Sequence, residues 1–599
     1  MKYFKYIYLL FTEKLRSQLN KAQYIIYVSS LVGLASGLVA VLLKKLVHYL
    51  QRWIEAIPAP PAYLIFPTIG LLLTVFITHR FFYGSFKRGI AMVLNAIAQK
   101  SSFIPRSHTY LHVITSAITV GVGGSVGLES PIVATGAAIG SNIARVNQLS
   151  YRDRSLMIAC GAAAGIAAVF NAPVAGVIFA IEVLMVETVV SYFIPLIISA
   201  VIGALCSKII LQESFLFSFI LTQNFNYKFV PYYLLLGLLC GFTALYYAKS
   251  FKSTEKFLHT WNANIYLKAV AGGLMLLILC YMLPPLFGEG YVSIKQVATG
   301  EIARTTHKSL IFAYAGENRT LLIYAISVVF LKPIAAGITI GSGGNGGNFA
   351  PSLFVGSFLG FAFSRLFNSF AWTHIPEGNF SLAAMAGVLS GVMYCPLTAI
   401  FLIAEITNGY ELFIPLMIVS SISYSIVKHF EPYSMETKQL ALKGEIFTHK
   451  KEQNILSTIS LQEILSDSLN TISVNSTLAD LIMLINESNA TVFAVHDEQK
   501  CFAGIIELNN VKKLILAKDV PEQMPIDKLV KQPREVIYDK DTMPTVMQKF
   551  DDTNSWNLPV IGSDNKFTGF ISKSKLFNRY REILAETTDL YEEARQDKF

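Results

Sequence analysis

The sequence predicts a mainly α-helical, polytopic membrane protein built from two repeated halves of broken helices and followed by a soluble α/β pair. Three observations predict it. The chain is 53% hydrophobic and 15% charged with a mean hydropathy of +0.48. Proline, glycine and arginine positions recur between two distant segments, and apolar character collapses after Lys428. At 599 residues the chain also exceeds what one hydrophobic core organises, so more than one domain is expected.

The apolar stretches come in order as Tyr24 to Leu43, Tyr63 to Thr78, Val190 to Cys206, Pro231 to Tyr247, Ala269 to Leu286, and Leu321 to Phe330 running on towards Ile340. Several approach the roughly 20 residues that a helix needs to cross about 30 Å of hydrocarbon. Others are short or broken by Gly and Pro, as happens where backbone at membrane depth lines a cavity. The net charge of +9 draws on Lys2, Lys5, Lys14, Arg16 and Lys21 at the amino terminus and on a polar tail. Such clustering reads as positive-inside topology and not as nucleic-acid binding. Both termini are expected in the cytoplasm, with the protein in a bacterial-type inner or plasma membrane and lipid as its surroundings. No signal-peptide pattern opens the chain. The six cysteines are scattered with no CxxC pair, against structural zinc or a disulfide framework.

These features predict a cytoplasmic segment over 1–22, a membrane domain over 23–435, a linker over 436–455, two soluble modules over 456–515 and 524–585, and a tail over 586–599. Each module has the same order. In the first, Thr471-Ile-Ser-Val precedes a helix over Leu478 to Ile485, strands at Thr491-Val-Phe-Ala-Val and Phe502-Ala-Gly-Ile-Ile, and a helix from Asn509. In the second, Val536-Ile-Tyr precedes a helix over Met543 to Phe550, strands at Asn557-Leu-Pro-Val-Ile and Phe567-Thr-Gly-Phe-Ile, and a helix from Lys573. An α/β unit used twice is the simplest reading.

The membrane part holds a deeper repeat. From Pro131 the residues Gly136, Gly140 and Arg145 follow at offsets of 5, 9 and 14, and from Pro351 the residues Gly356, Gly360 and Arg365 follow at the same three. Gly161-Ala-Ala-Ala-Gly165 is matched by Gly387-Val-Leu-Ser-Gly391, and an acid stands nine positions after a proline in each copy, Glu182 after Pro173 and Glu405 after Pro396. Two such halves are the signature of a transporter whose site lies at their interface near mid-membrane; spacing alone leaves open whether they are inverted.

A glycine-rich turn precedes each repeated proline, Gly121-Val-Gly-Gly-Ser-Val-Gly-Leu-Glu-Ser-Pro131 and Gly341-Ser-Gly-Gly-Asn-Gly-Gly-Asn-Phe-Ala-Pro351. Glycine lets backbone approach a ligand, and a helix starting there aims its free amides and positive dipole end at it. Two such starts facing each other make an anion site. The competing reading, glycines serving only close helix packing, weakens when two turns match within a repeat. Glu129, a lone carboxylate at membrane depth, is a functional candidate on cost alone.

These residues resemble the CLC family of chloride channels and proton-coupled chloride exchangers. Gly127-Leu-Glu-Ser-Pro131 is similar to the family's GREGP-type motif, Gly347-Asn-Phe-Ala-Pro351 to its GIFAP-type motif, and Glu431-Pro-Tyr-Ser434 to the segment bearing its pore tyrosine; Gly165-Ile-Ala-Ala-Val-Phe-Asn-Ala-Pro173 is also family-like. The tail resembles a tandem pair of CBS modules. The resemblance implies that Glu129 is a gating glutamate beside Gly127 and Leu128, that Asn348 and Phe349 offer backbone amides to the anion, and that Tyr433 offers its hydroxyl. It further implies chloride or another small anion as the transported ion and a homodimer with one pathway per subunit.

Two departures bear on mechanism. The family's first anion-binding motif, of GSGIP type, pairs best with Lys87-Arg88-Gly89-Ile90-Ala91, which sets Arg88 where a serine hydroxyl would serve; alternatively Gly84-Ser85 supplies it and the cations face water. Exchangers of the family commonly carry a proton-relay glutamate one residue after the position of Glu182, where this chain has Val183. Val183 favours a voltage- or pH-gated chloride channel; a chloride/proton antiporter using Glu182, Glu187 or water is the alternative. Glu182 is retained as a proton-path candidate, with a structural capping role preferred for it and for Glu405.

No cofactor is expected. CBS modules often bind adenine nucleotides through a Gly-x-x-Ser/Thr-x-x-Asp stretch; Gly569-Phe-Ile-Ser-Lys-Ser-Lys575 keeps Ser572, the candidate nucleotide contact, but puts Lys575 at the acid's place, and Gly504-Ile-Ile-Glu-Leu-Asn-Asn510 has neither, so the resemblance allows adenine-nucleotide binding through Ser572 without supporting it. A divalent-cation transporter with CBS modules would need clustered oxygen ligands in the membrane, which the apolar segments lack. A membrane-embedded enzyme would need Ser and His to meet or a His-Glu-x-x-His motif; the ten histidines lie largely in polar connections and at segment ends, and no His-Glu-x-x-His is among them.

Overall fold

Among the described residues, helices form over most of each apolar stretch singled out above, and the first runs past its stretch to a polar cap at Asn20. The computed structural model describes residues 17–56, 65–82, 89–99, 102–184, 190–211, 225–299, 318–370, 374–407, 409–442, 456, 459–466, 470–488, 490–515, 523–562 and 564–582. The chain divides into two compact units, Met1–Ile446 and Phe447–Phe599.

In the first unit the helices are α1 (Lys21–Glu55), α2 (Phe66–Phe82), α3 (Gly89–Gln99), α4 (His108–Gly121), α5 (Glu129–Val146), α6 (Tyr151–Phe170), α7 (Pro173–Leu184) and α8 (Val190–Leu211). They continue as α9 (Val230–Thr260), α10 (Ile265–Met282), α11 (Tyr291–Ala298), α12 (Asn318–Gly341), α13 (Phe349–Asn368), α14 (Glu377–Met393), α15 (Pro396–Ile406), α16 (Phe413–Phe430) and the short α17 (Lys438–Leu442). Among the described residues 8 helices are long and apolar enough to cross a membrane, whereas α7 and α15 have 12 and 11 residues. The mixture of spanning and broken helices is that of an integral, multi-pass membrane protein. On α1, Leu34, Leu38, Leu42 and Leu46 form an exposed stripe at helical spacing, a face suited to lipid.

Local signals explain the boundaries. Asn20 and Gln23 form a capping box that starts α1. In the two copies α6 and α14 end on left-handed residues, Asn171 (φ 54°) and Tyr394 (φ 60°), and Pro173 and Pro396 then open α7 and α15. Asparagine adopts that conformation readily and tyrosine does not; Tyr394 is anchored by its hydroxyl, which donates to the Glu431 carbonyl at 2.7 Å.

The repeated glycines have a packing role. A Cβ at Gly136 or Gly140 would overlap the carbonyls of Gly161 and Met157 on α6, and one at Gly356 or Gly360 would overlap those of Ala384 and Phe380 on α14. They let α5 lie on α6 and α13 on α14 at backbone distance, the small-residue seam of membrane helices. Arg145 and Arg365 fall in the last turns of α5 and α13, where a cation favours the negative dipole end.

Two acids settle how the halves are related. Glu182, near the end of α7, accepts from the amides of Leu397 and Thr398 at the start of α15, at 3.1 and 2.8 Å. Glu405, near the end of α15, accepts from Val174 and Ala175 at the start of α7, at 3.0 and 2.8 Å. The end of each half-helix lies on the beginning of the other, so they run antiparallel and the two halves are inverted.

The second unit contains two three-stranded sheets of one design. In the first, β1 (Thr471–Ser473) pairs parallel with β2 (Val492–His496), which pairs antiparallel with β3 (Phe502–Glu507); in the second, β4 (Ile537–Tyr538), β5 (Asn557–Ile561) and β6 (Phe567–Ser572) repeat that order. Register shifts at Val495/His496 and Val560/Ile561 fall at equivalent places. The module boundaries need a correction. Leu456, Ile459 and Ile464 pack with Ile537 and Val560 of the second sheet and with Phe550 on the helix over Met543–Thr553, while Ile526 packs with Phe493 and Val495 of the first. Each module's leading segment is therefore exchanged onto the other, so 456–515 and 524–585 cut across the cores. A short apolar segment advertises that it is buried, not which sheet buries it.

Candidate anion site

The two glycine-rich turns are locked to one another. Gly123 and Gly343 take the same backbone, with φ 104° and 103°, a region open to glycine. Their flanking residues bond crosswise: the Ser125 amide donates to Thr339 Oγ1 at 3.2 Å, and the Asn345 amide to Thr119 Oγ1 at 3.1 Å. The Gly127 amide then donates to the Gly347 carbonyl at 2.9 Å and the Gly347 amide to the Gly127 carbonyl at 2.8 Å. This reciprocal bridge brings the starts of α5 and α13 together. First-turn amides have no acceptor within their own helix, so they face the shared space as donors.

Glu129 sits at this junction and is 1% exposed. Its Oε1 accepts a hydrogen bond from the Tyr291 hydroxyl, and the amides of Glu129 and Ala350 face the carboxylate. Its Oε2 is enclosed with no hydrogen-bond partner at bonding distance among the described residues. A Cβ at Gly127 would overlap Oε2 and come within 2.8 Å of Ala350 Cβ. Leu128, Asn348 and Phe349 are buried around the carboxylate's neighbours, and the Phe349 ring packs 5.5 Å from that of Phe170.

Sequence reasoning missed a second layer. Glu289 accepts from the Leu128 amide at 3.1 Å, and the charges of Lys44 and Lys332 act on it. Lys332 is wholly buried on α12, with Nζ donating to the Gly288 carbonyl at 2.9 Å and lying 4.7 Å from the Phe354 ring centre. Lys44, His48, Leu128, Glu289 and Tyr291 line a small cavity here. Gly288 to Tyr291 lies outside the internal repeat, so no spacing drew attention to it.

The remaining sequence candidates are placed as follows. Tyr433 is 38% exposed and has no hydrogen bond to Asn348 or Phe349 among the described residues; Glu436, three residues on, is the side chain that Asn348 faces. Motif likeness located the segment, and the turn after α16 brings Glu436 as well as Tyr433 into it. Arg88 and its alternatives Gly84, Ser85 and Lys87 lie outside the described residues, as does Glu187. Val183 packs in the hydrophobic core. Glu182 commits both oxygens to the start of α15, and one also accepts from the Thr398 hydroxyl at 2.7 Å, the geometry of a capping acid. Glu182→Gln is expected to leave any proton movement unchanged and to cost about 1–3 kcal/mol of stability, because an amide NH2 would meet a backbone N–H; a proton flux that disappears in liposomes returns Glu182 to the pathway. In the tail, Ser572 Oγ lies 2.7 Å from Ser574 Oγ, and Lys575, at the place of the motif's acid, donates to the Leu465 carbonyl at 2.7 Å. Among the described residues no group of His, Cys, Asp and Glu could hold a metal ion.

Residues 69–428, more than half of the chain, match the family described as voltage gated chloride channel. The chain belongs to that family. Among its curated CLC relatives are an H(+)/Cl(-) exchange transporter of Klebsiella pneumoniae, 27% identical over 68% of this chain and 86% of that protein, and a chloride channel protein, CLC-e, of Arabidopsis thaliana, 26% identical over 83% and 77%. Among solved structures, a slow cyanobacterial Cl-/H+ antiporter superposes with a TM-score of 0.61 at 20% identity, covering 71% of this chain and 98% of that one. A eukaryotic CLC transporter gives 0.58 at 16%, covering 92% and 97%. These structures share the fold. The chain is thus an integral membrane protein of CLC type, and anion transport is the function that goes with it.

Proposed function

We propose that this CLC protein conducts chloride, or a small anion like it, passively between the starts of α5 and α13, with Glu129 as the gate. The observation that carries the reading is the reciprocal Gly127 and Gly347 bridge, which sets two electropositive helix starts against the half-satisfied carboxylate of Glu129. A carboxylate held there is itself an anion at an anion site, and it yields to a transported ion when protonated or displaced. Donors bearing partial charge hold a halide weakly enough for it to leave.

Passive conduction is favoured by Val183, which carries no proton, and by the full engagement of Glu182. Exchange is the second reading, favoured by likeness to relatives named as H(+)/Cl(-) exchange transporters. We read the tail as a CBS pair serving as a coupler between subunits of a homodimer with both termini in the cytoplasm. The test places purified protein in liposomes under a chloride gradient at zero membrane potential. Chloride flux without uphill proton movement is expected; sustained uphill proton movement establishes exchange instead, and no chloride-dependent flux overturns anion transport altogether.

A further inference from the structure

A second carboxylate reaches the same pair of helix starts through different neighbours. Glu436 lies between the end of α16 and α17, and it is packed about by protein although part of its surface stays accessible. The Asn348 side chain at the start of α13 presents its amide to this carboxylate. Its Oε2 stands 3.7 Å from where a Cβ of Gly89 would be, and that position is 3.3 Å from Ser130 Oγ. Gly89 opens α3 with a φ of 74°, and Ser130 is in the first turn of α5. The starts of α3 and α13 thus face this side chain, and the start of α5 adjoins that of α3 through Ser130. The Tyr247 hydroxyl steadies Asn348 by donating to its Oδ1 at 3.1 Å.

We propose that Glu436 is a second carboxylate gate, distinct from Glu129, which competes with the transported anion for the helix starts at Gly89, Ser130 and Asn348. The proposal rests on the anion-transport reading above and adds a residue to it. An acid at this place repels a halide while charged and releases its hydrogen-bonding groups to the ion when protonated or swung aside. Enclosure pushes its carboxyl above the usual range; Lys252 opposes this and Glu255 adds to it, and those two are themselves paired at 2.8 Å. Among the described residues, Tyr247 also faces it. Acidification is therefore expected to favour anion entry here, independently of Glu129.

The test uses full-length protein carrying Glu129→Gln, so that the first gate is silent. Chloride binding by calorimetry in detergent and chloride flux from liposomes across a pH series are compared with the Glu129→Gln, Glu436→Gln double variant. The double variant is expected to bind chloride about tenfold more tightly at neutral pH and to lose the pH dependence that remains after Glu129→Gln. Unchanged affinity and slope overturn the proposal. Weaker binding also overturns it, by making Glu436 a support for Asn348 instead of a competitor. Should the double variant fail to fold, Glu436→Asp keeps the charge but shortens its reach, and tighter chloride binding is again expected, with unchanged affinity overturning the proposal. Failure of the Glu129→Gln parent to bind or move chloride at all counts against the anion-transport reading itself.

Discussion

Glu129→Gln is expected to keep anion movement while removing the larger part of its acid activation, with flux at neutral pH rising about tenfold or more towards the level the native protein reaches only in acid. Glutamine has the shape of glutamate without its charge, so it can keep a hydrogen bond with Tyr291 but cannot rival an incoming anion for the amides near Ala350. The enclosed Oε2, now part of a neutral amide, no longer sets a negative charge between the starts of α5 and α13. If the protein is an exchanger, the same change is expected to abolish proton movement and leave chloride flux. The measurement is chloride efflux from liposomes at several pH values, with proton flux recorded alongside. A wild-type pH response removes Glu129 from the mechanism.

Why Glu129 was legible in the sequence and its partners were not has a physical explanation. Glu129 follows a glycine-rich turn that occurs twice, and a duplicated turn must satisfy the same backbone demands in both copies, hence Gly123 and Gly343 with matching φ. The offsets from Pro131 and Pro351 were legible for the same reason, since each glycine faces a carbonyl of the next helix. The strands of the tail fell within a residue or two of expectation because alternating apolar residues and turn signals act locally. Tyr291 meets Glu129, with Glu289 beside them and Lys332 acting on Glu289, through tertiary contacts between segments that do not repeat, and their spacing carries no trace of it. Glu436, which Asn348 faces, went unnoticed beside Tyr433, because a helix end followed by an irregular turn leaves direction undetermined by pattern. The exchanged leading segments of the tail modules belong to the same class, in which burial is local information and the choice of partner is not.

Replacing Lys332 is expected to do the largest damage to stability. Lys332→Met keeps an unbranched side chain of similar length against Phe354, so packing changes little. It removes the donor to the Gly288 carbonyl and the charge acting on Glu289. Glu289 would then hold the Leu128 amide with only Lys44 to balance it, next to Glu129 and Tyr291. Lys332 acts on Glu289 by charge without ion-pair contact, so its removal leaves Glu289 less compensated, at a cost of up to about 3–5 kcal/mol, the figure for breaking a contacting buried pair, whereas removing both charges is often near neutral. Lys332→Met alone should therefore sharply lower the thermal midpoint in detergent. Adding Glu289→Gln to it should recover most of the loss, because glutamine still offers an oxygen to the Leu128 amide. If the double variant is no more stable than the single one, the two side chains do not act as a pair. Recovery of stability with an altered pH response would instead tie this network to the gate, since Leu128 is the residue immediately before Glu129 and its amide belongs to the same helix start.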